Sequence, residues 1–255
     1  MNAKRSEASQ AQVLAGIQPV ATALRTNPAS ITGITITEGT RNRRVHDLVM
    51  LAKDAGITVR EDRREWLDEL AGFDHHQDIV AQLQALDARV EADLLPLLQA
   101  ADGDPLVLVL DGVEDPHNLG ACLRSAEAAG VHAVVVPRDR AVGLTPVVRK
   151  ASVGASELVP LFQVTNLART LRALKDAGIW IAGTTGEADV SVYDQDLTGP
   201  LALVMGGEGK GIRRLTAETC DHLVRIPMAG AIESLNVSVA TGVCLFEIQR
   251  QRHAR

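Results

Sequence analysis

Apolar positions follow two regimes along the chain. Up to about residue 86 they come in short amphipathic pieces; beyond Pro105 they come in unbroken runs. In the first regime a helix-like stretch over 18–25 precedes the β-branched run 31–37, and then an amphipathic helix over about 42–55 that Gly56 closes as a C′ residue. A short strand at 57–60, a helix near 64–70 and a strand at 78–83 complete a small α/β unit over 13–86, behind a flexible N-terminus, 1–12. Residues 87–104 turn to Ala, Asp and Leu, with Pro96 interrupting and Gly103-Asp104-Pro105 ending them, which predicts a partly helical linker.

The second regime opens with Leu106-Val107-Leu108-Val109-Leu110, a run suited to a strand covered on both faces of a parallel sheet. The same signature returns at 133–136, 179–182 and 201–205, with helical stretches between at 118–129, 145–154 and 166–177. That alternation implies βαβ crossovers, so 105–255 is expected to form an α/β domain with a parallel sheet and helices on both faces. A last helix places Val237, Ala240, Thr241, Cys244, Leu245 and Ile248 on one face, and Gly242 on it permits close approach of a second subunit.

With 255 residues and 46% hydrophobic content the chain can build a proper core. A net charge of -6 supplies no global field toward nucleic acid, so RNA contact must come from local patches such as Arg41, Arg43 and Arg44. Cys122, Cys220 and Cys244 are far apart with no Cys-x-x-Cys pair, which indicates neither a disulfide framework nor a zinc site; no metal is expected. The polar first residues, with Lys4, Arg5 and Glu7, do not read as a signal peptide, and no run approaches the roughly 20 apolar residues that a bilayer crossing needs. The expectation is a soluble cytoplasmic protein without a membrane partner.

Three segments share a strand, glycine loop and helix layout: Asp115-Pro116-His117-Asn118-Leu119-Gly120 with Arg124 downstream, Gly206-Gly207-Glu208-Gly209-Lys210-Gly211, and 227–240 with Ser234, Leu235 and Asn236 before the last helix. Such loops direct free backbone N–H groups and a positive dipole end at a ligand, so three on one sheet suggest a composite pocket. Each polar residue also has a plain reading: Asn118, Ser234 or Asn236 as a helix N-cap, Arg124 as a solvated helix arginine, Glu208 as a loop acid. His117 is not assigned as a general base. The second loop is not a Walker A motif, because Lys210 precedes Gly211 where Ser or Thr is required, and no strand leads into Gly-x-Gly-x-x-Gly.

In this order and at these separations the three segments resemble the motifs of the SpoU (TrmH) family of RNA ribose 2′-O-methyltransferases, nearest to its branch acting on guanosine of 23S rRNA. The likeness is near continuous from 106 to 252 and weaker over 13–86, where Gln18 and Asp78 stand where relatives tend to have His and Gly. It implies a SPOUT-type, trefoil-knotted parallel-sheet domain behind a small L30e-like RNA-binding domain. It also implies S-adenosylmethionine as cofactor, a homodimer with the site at the subunit interface, and 23S rRNA or the pre-ribosomal large subunit as partner, in the peptidyl-transferase region. By the same likeness Asn118, Arg124, Glu208, Ser234 and Asn236 are the catalytic set. Gly183, Thr184, Gly206, Gly207, Ile226 and Leu235 would bind the cofactor, in part through the loop 183–186. Two alternatives stay open: the same reaction on tRNA or another rRNA site, and a non-catalytic RNA-binding ribosome-assembly protein of the same fold.

Overall fold

A strand built from Leu106-Val107-Leu108-Val109-Leu110 has no polar side to turn toward water, so it requires cover on both faces. The computed structural model describes residues 12–83, 89–207, 209 and 211–254 and provides that cover. Contacts divide the chain into two compact units, Met1–Asp87 and Ala88–Arg255.

The first unit runs β1 (Gln12–Ala15), α1 (Ile17–Thr26), β2 (Ile31–Thr37), α2 (Arg43–Asp54), β3 (Val59–Asp62), α3 (Arg64–Ala71) and β4 (Ile79–Leu83). Its sheet has the order β1-β4-β2-β3, in which β4 is antiparallel to β1 and β2 while β2 and β3 are parallel. The period of two along each strand sorts the core. Leu14, Ile34, Ile79 and Ala81 face α1 and α2, whereas Val13, Ala15 and Val80 face Leu67 and Ala71 of α3. Asn42 caps α2 by accepting from the Arg44 N–H at 3.1 Å, and Gly56 takes φ 73 just beyond it, as a left-handed C′ glycine should. Gln12, expected in the flexible N-terminus, instead begins β1 opposite Leu83; residues 1–11 lie outside the described residues.

The second unit contains α4 (Leu94–Gln99), β5 (Leu106–Asp111), α5 (Pro116–Ala128), β6 (Ala133–Pro137), α6 (Pro146–Ala151), β7 (Leu161–Val164), α7 (Leu167–Asp176), β8 (Trp180–Thr184), β9 (Val190–Ser191), β10 (Leu201–Gly206), α8 (Arg214–Thr219), β11 (His222–Arg225) and α9 (Val237–His253). Its seven strands, ordered β7-β6-β5-β10-β8-β11-β9, pair in parallel throughout. Leu106, Leu108 and Leu110 pack with α5 and α9 on one face; Val107 and Val109 pack with α4 and α7 on the other. Each such fully buried side chain contributes about 1.5–3 kcal/mol relative to exposure.

Four differences from the sequence reading have physical causes. The stretch expected as a linker carries α4, whose Leu94 and Leu98 are buried against Val107 and Phe162, so it packs as part of the second unit. Strands β7, β9 and β11 and helix α8 are too short, or too mixed with His, Arg and Gln, to show a period. Helix α6 stops at Ala151, before the positive φ angles of Val153 and Gly154. Gly242 faces Ser125 of α5 in the same chain, and it tightens the packing of α9 on α5. Cys122 and Thr241 meet at 3.5 Å in that contact.

Candidate active site

In a parallel sheet every strand ends on the same edge, and ligands settle in the crevice outside those carboxyl ends. Here β5, β8, β10 and β11 deliver their following loops to that edge. The register sets Gly206 beside Asp111 and Val224 beside Thr184, so the four loop origins stand side by side. Together the loops after β8, β10 and β11 and the first turn of α9 enclose a cavity of about 530 Å³.

One wall is almost bare backbone. Gly206, Gly207, Gly209 and Gly211 line it, and Gly207 and Gly211 form an antiparallel bridge that closes the lobe between them. A Cβ on Gly206 would stand 2.1 Å from the carbonyl carbon of Gly211, and one on Gly207 only 2.0 Å from the Gly112 oxygen. Glycine is therefore obligatory at both positions, because the opposing atoms are main chain and cannot rotate away. The apolar floor is Met205, Ile226, Leu235, Val237 and Ala240, with Thr184, Thr185 and Gly186 opposite and Arg225 and Glu233 as the charged groups. Thr184 is held by its hydroxyl donating to the Val204 carbonyl at 3.1 Å, and the Thr185 N–H donates to the Val224 carbonyl at 3.0 Å.

The two helix starts meet beside this cavity. Asp115, not Asn118, caps α5, accepting from the His117 N–H at 2.8 Å; Asn118 sits in the first helical turn instead. Asn236 is the N-cap of α9, accepting from Ser238 N at 2.9 Å, and its amide Nδ2 donates to Asn118 Oδ1 at 2.9 Å. The N-cap reading thus holds for Asn236 and not for Asn118, and the Asn236 side chain also reaches across to the other motif. One bond ties residues 118 apart in sequence at the lip of the pocket.

Among the residues expected to act, Ser234, Asn236, Thr184, Gly206, Gly207, Ile226 and Leu235 line the cavity, and Asn118 joins through Asn236. Gly183 does not line it. It is buried, and a Cβ there would strike Cys220 Sγ at 2.7 Å, so this glycine serves packing beneath the loop. Arg124 is exposed on α5, makes no hydrogen bond or ion pair among the described residues, and is absent from the wall of this chain's cavity. Glu208 lies outside the described residues. Glu233 lies within the loop 226–235 that the resemblance gave to the cofactor, whereas Met205, Arg225 and Ala240 were not expected there; Met205 lies near the end of an apolar strand and Arg225 ends a strand too short to detect.

Burial pushes the thiols of Cys220 and Cys244 up to about 12, the former aided by Asp221, so neither is a thiolate nucleophile near neutral pH. Among the described residues no cluster of His, Cys, Asp and Glu could hold a metal ion, and no helix is long and apolar enough to cross a membrane. The cavity offers glycine-lined backbone, amides, hydroxyls and the charged Arg225 and Glu233, which can position and polarise a ligand.

Known proteins match this architecture over nearly the whole chain. The SpoU rRNA Methylase family matches residues 105–246, and the RNA 2′-O ribose methyltransferase substrate-binding family matches residues 13–88. The 23S rRNA (guanosine-2′-O-)-methyltransferase RlmB of Pseudomonas syringae pv. tomato is 52% identical over 97% of this chain and 98% of its own; the protein of that name in Ralstonia nicotianae is 52% identical over 96% and 97%. Among solved structures, the SpoU methyltransferase AviRb from Streptomyces viridochromogenes superposes with a TM-score of 0.81 at 24% identity, covering 99% of this chain and 94% of that one. An AdoMet-bound rRNA methyltransferase from Sinorhizobium meliloti gives 0.74 at 25% identity, covering 94% and 87%. With the matched motifs gathered at one sheet edge, the chain belongs to the SpoU rRNA methylase family.

Proposed function

We propose that this protein methylates the ribose 2′-hydroxyl of a guanosine in 23S rRNA, using S-adenosylmethionine, and works in the cytoplasm on the rRNA or the pre-ribosomal large subunit. The observation that carries the reading is the gathering of three separated glycine-bearing loops into one cavity with the Asn118–Asn236 bond at its lip. The cavity fits the cofactor: its volume is in the range of small-molecule sites, and the walls at Gly206 and Gly207 are ones a Cβ would block. The half-identical relatives support a guanosine of 23S rRNA as target; its place in the peptidyl-transferase region is part of the proposal.

When bound, S-adenosylmethionine supplies an electrophilic methyl group on a sulfonium sulfur. The chain's own residues do the rest by holding and orienting. Gly206, Gly207, Ile226 and Leu235 grip the donor through backbone and apolar surface, with Thr184 beside them. A guanidinium offers N–H donors and no acceptor, so Arg124 is not the base that removes the hydroxyl proton. Its role is to orient the ribose and a neighbouring phosphate and to stabilise developing alkoxide, while the proton leaves to phosphate or water. Asn118, Glu208, Ser234 and Asn236 position that arginine and the sugar.

The working form is a homodimer with its site at the subunit interface. Support comes from Val239 and Phe246, each 53% exposed on α9, and from Arg124, which projects from the packed partner helix α5 without joining its own cavity. The first unit, 13–86, acts as an L30e-like RNA-binding domain, with Arg41, Arg43 and Arg44 exposed at the start of α2. The knotted threading of the C-terminal segment belongs to this reading.

The test is methyl transfer from labelled S-adenosylmethionine to 23S rRNA taken from cells lacking the protein, followed by mapping of ribose methylation. One new 2′-O-methylguanosine is expected. Label found only in tRNA would move the substrate, and failure to bind S-adenosylmethionine by calorimetry would remove the enzyme reading. Mixing Arg124→Ala subunits with Gly207→Ala subunits should restore activity if each arginine serves the other subunit's cavity.

A further inference from the structure

We infer that Asp111 and Arg213 form a clamp that sets the lobe carrying Gly207, Gly209 and Gly211 in its binding shape. The inference rests on the reading of that cavity as the methyl-donor site. Asp111 is the last residue of β5, and its carboxylate is fully buried, an arrangement that is costly unless the charge is partnered. Its backbone carbonyl accepts from the Gly207 N–H at 3.0 Å, where the chain leaves the sheet for the lobe. Its carboxylate Oδ2 accepts from the Arg213 N–H at 2.9 Å, where the chain returns. The other oxygen, Oδ1, faces Arg213 Nε at 3.3 Å but off the line of a hydrogen bond, so that contact is an ion pair. One residue thus pins both legs of the lobe.

The lobe needs pinning because it has little to hold itself. Gly207, Gly209 and Gly211 have no side chains to pack and the greatest backbone freedom to lose on ordering. Gly209 and Gly211 also lie at φ 80 and 60, where the chain has no regular neighbours to copy. The Arg213 guanidinium extends to 3.7 Å from the place a Gly112 Cβ would occupy, so it covers the turn after β5 that Gly207 abuts. Neither Asp111 nor Arg213 lines the cavity, and both are positioning residues acting through the glycines. Arg213 is the better probe: its side chain is 43% exposed, so truncation opens no core void.

Calorimetry with S-adenosylmethionine on the full chain, alongside hydrogen exchange at the Gly207 and Arg213 amides, tests the clamp in Arg213→Ala, Arg213→Lys and Asp111→Asn. Arg213→Ala is expected to weaken binding by roughly tenfold, to raise KM for the donor more than it lowers kcat, and to speed exchange at those two amides but not within β5. Arg213→Lys should recover part of the affinity. Arg213→Ala removes the ion pair and keeps the main-chain bond, so donor affinity and exchange unchanged from wild type in it would overturn the side chain's part in the clamp, even if Asp111→Asn fails to fold. A wild-type protein that binds no donor would sink the cavity reading instead, and the exchange rates would still decide whether the clamp orders the lobe.

Discussion

The two sheets dispose of their loops in opposite ways. In the second unit every pairing is parallel, so the loops after β5, β8, β10 and β11 all leave by one edge, and the last three enclose the cavity. In the first unit β4 runs against β1 and β2, which divides the connections between both ends of the sheet. What that unit presents is charge on a helix start, with Arg41, Arg43 and Arg44 all exposed. Strand direction alone thus separates a unit that can hold a small molecule from one suited to grip a polyanion by its surface.

An exposed arginine from each unit gives the widest contrast. Arg124→Ala should lower kcat by roughly a thousandfold, the scale of losing a donor to developing negative charge, while donor affinity by calorimetry stays intact; full turnover would refute its role. Arg43→Ala should leave kcat at saturating RNA unchanged. Glycines give the next contrast. Gly207→Ala forces a backbone shift against the Gly112 carbonyl, and a displacement near 1 Å at such a site costs on the order of a hundredfold in kcat/KM. Gly39→Ala in the first unit meets nothing within 4 Å, so only its left-handed backbone is strained, at about 1–2 kcal/mol in thermal unfolding with no loss of donor affinity.

The paired asparagine caps sharpen the comparison further. Asn42 and Asn236 each accept from the backbone N–H two residues on, so either change to Ala should cost about 1 kcal/mol of stability. Only Asn236→Ala also breaks the bond to Asn118, and only it should reduce methyl transfer, by roughly tenfold for a lost hydrogen bond at the site. Equal activity in the two variants would mean that the asparagine at the lip is a cap and nothing more. Removing Arg41, Arg43 and Arg44 together should flatten the salt dependence of RNA binding by about 2 in log-log slope if all three meet phosphates of a single strand.

How far these contrasts could be drawn before any coordinates depended on length and period. Strand β2 was legible to the residue because seven β-branched-rich positions lie between a turn and a helix cap, and β5 and β10 because an unbroken apolar run has few other uses. Strand β11 was not, since His222-Leu223-Val224-Arg225 is short and half polar, and so Arg225 was missed at the pocket. Motif spacing located Asn118, Ser234 and Asn236, but it could not tell a glycine that opens a cavity from one that packs a core. Gly183 and Gly206 both lie at or next to the last residue of a strand; only the opposing atoms, Cys220 Sγ in one case and the Gly211 backbone in the other, separate them. The clamp at Asp111 was equally invisible, because the partner that makes it significant is 102 residues away.

The smallest effect concerns whether the two units respond to acid separately. In α9 the Glu247 carboxylate takes Nε and Nη2 of Arg250 at 2.8 Å each, and Gln251 Nε2 at 2.8 Å. The Arg250 hydrogen bonds, opposed by burial and aided by Gln251, hold its carboxyl below the ordinary value of 4.5. A depressed folded-state pKa gives stability that is present above the unfolded-state value and is lost as pH falls through the folded one. Arg250→Ala should therefore lower the stability of the second unit slightly near neutral pH, where this contribution is fully present, and the loss should shrink as pH falls through the folded-state value; the effect is small because the arginine of the pair is largely exposed and screened. Followed by hydrogen exchange across pH 3–5, the change should appear in α9 and the parallel sheet and not in β2 or β4. A shift of equal size in both units would show that they unfold as one cooperative body, and the division of labour between them would then be chemical without being energetic.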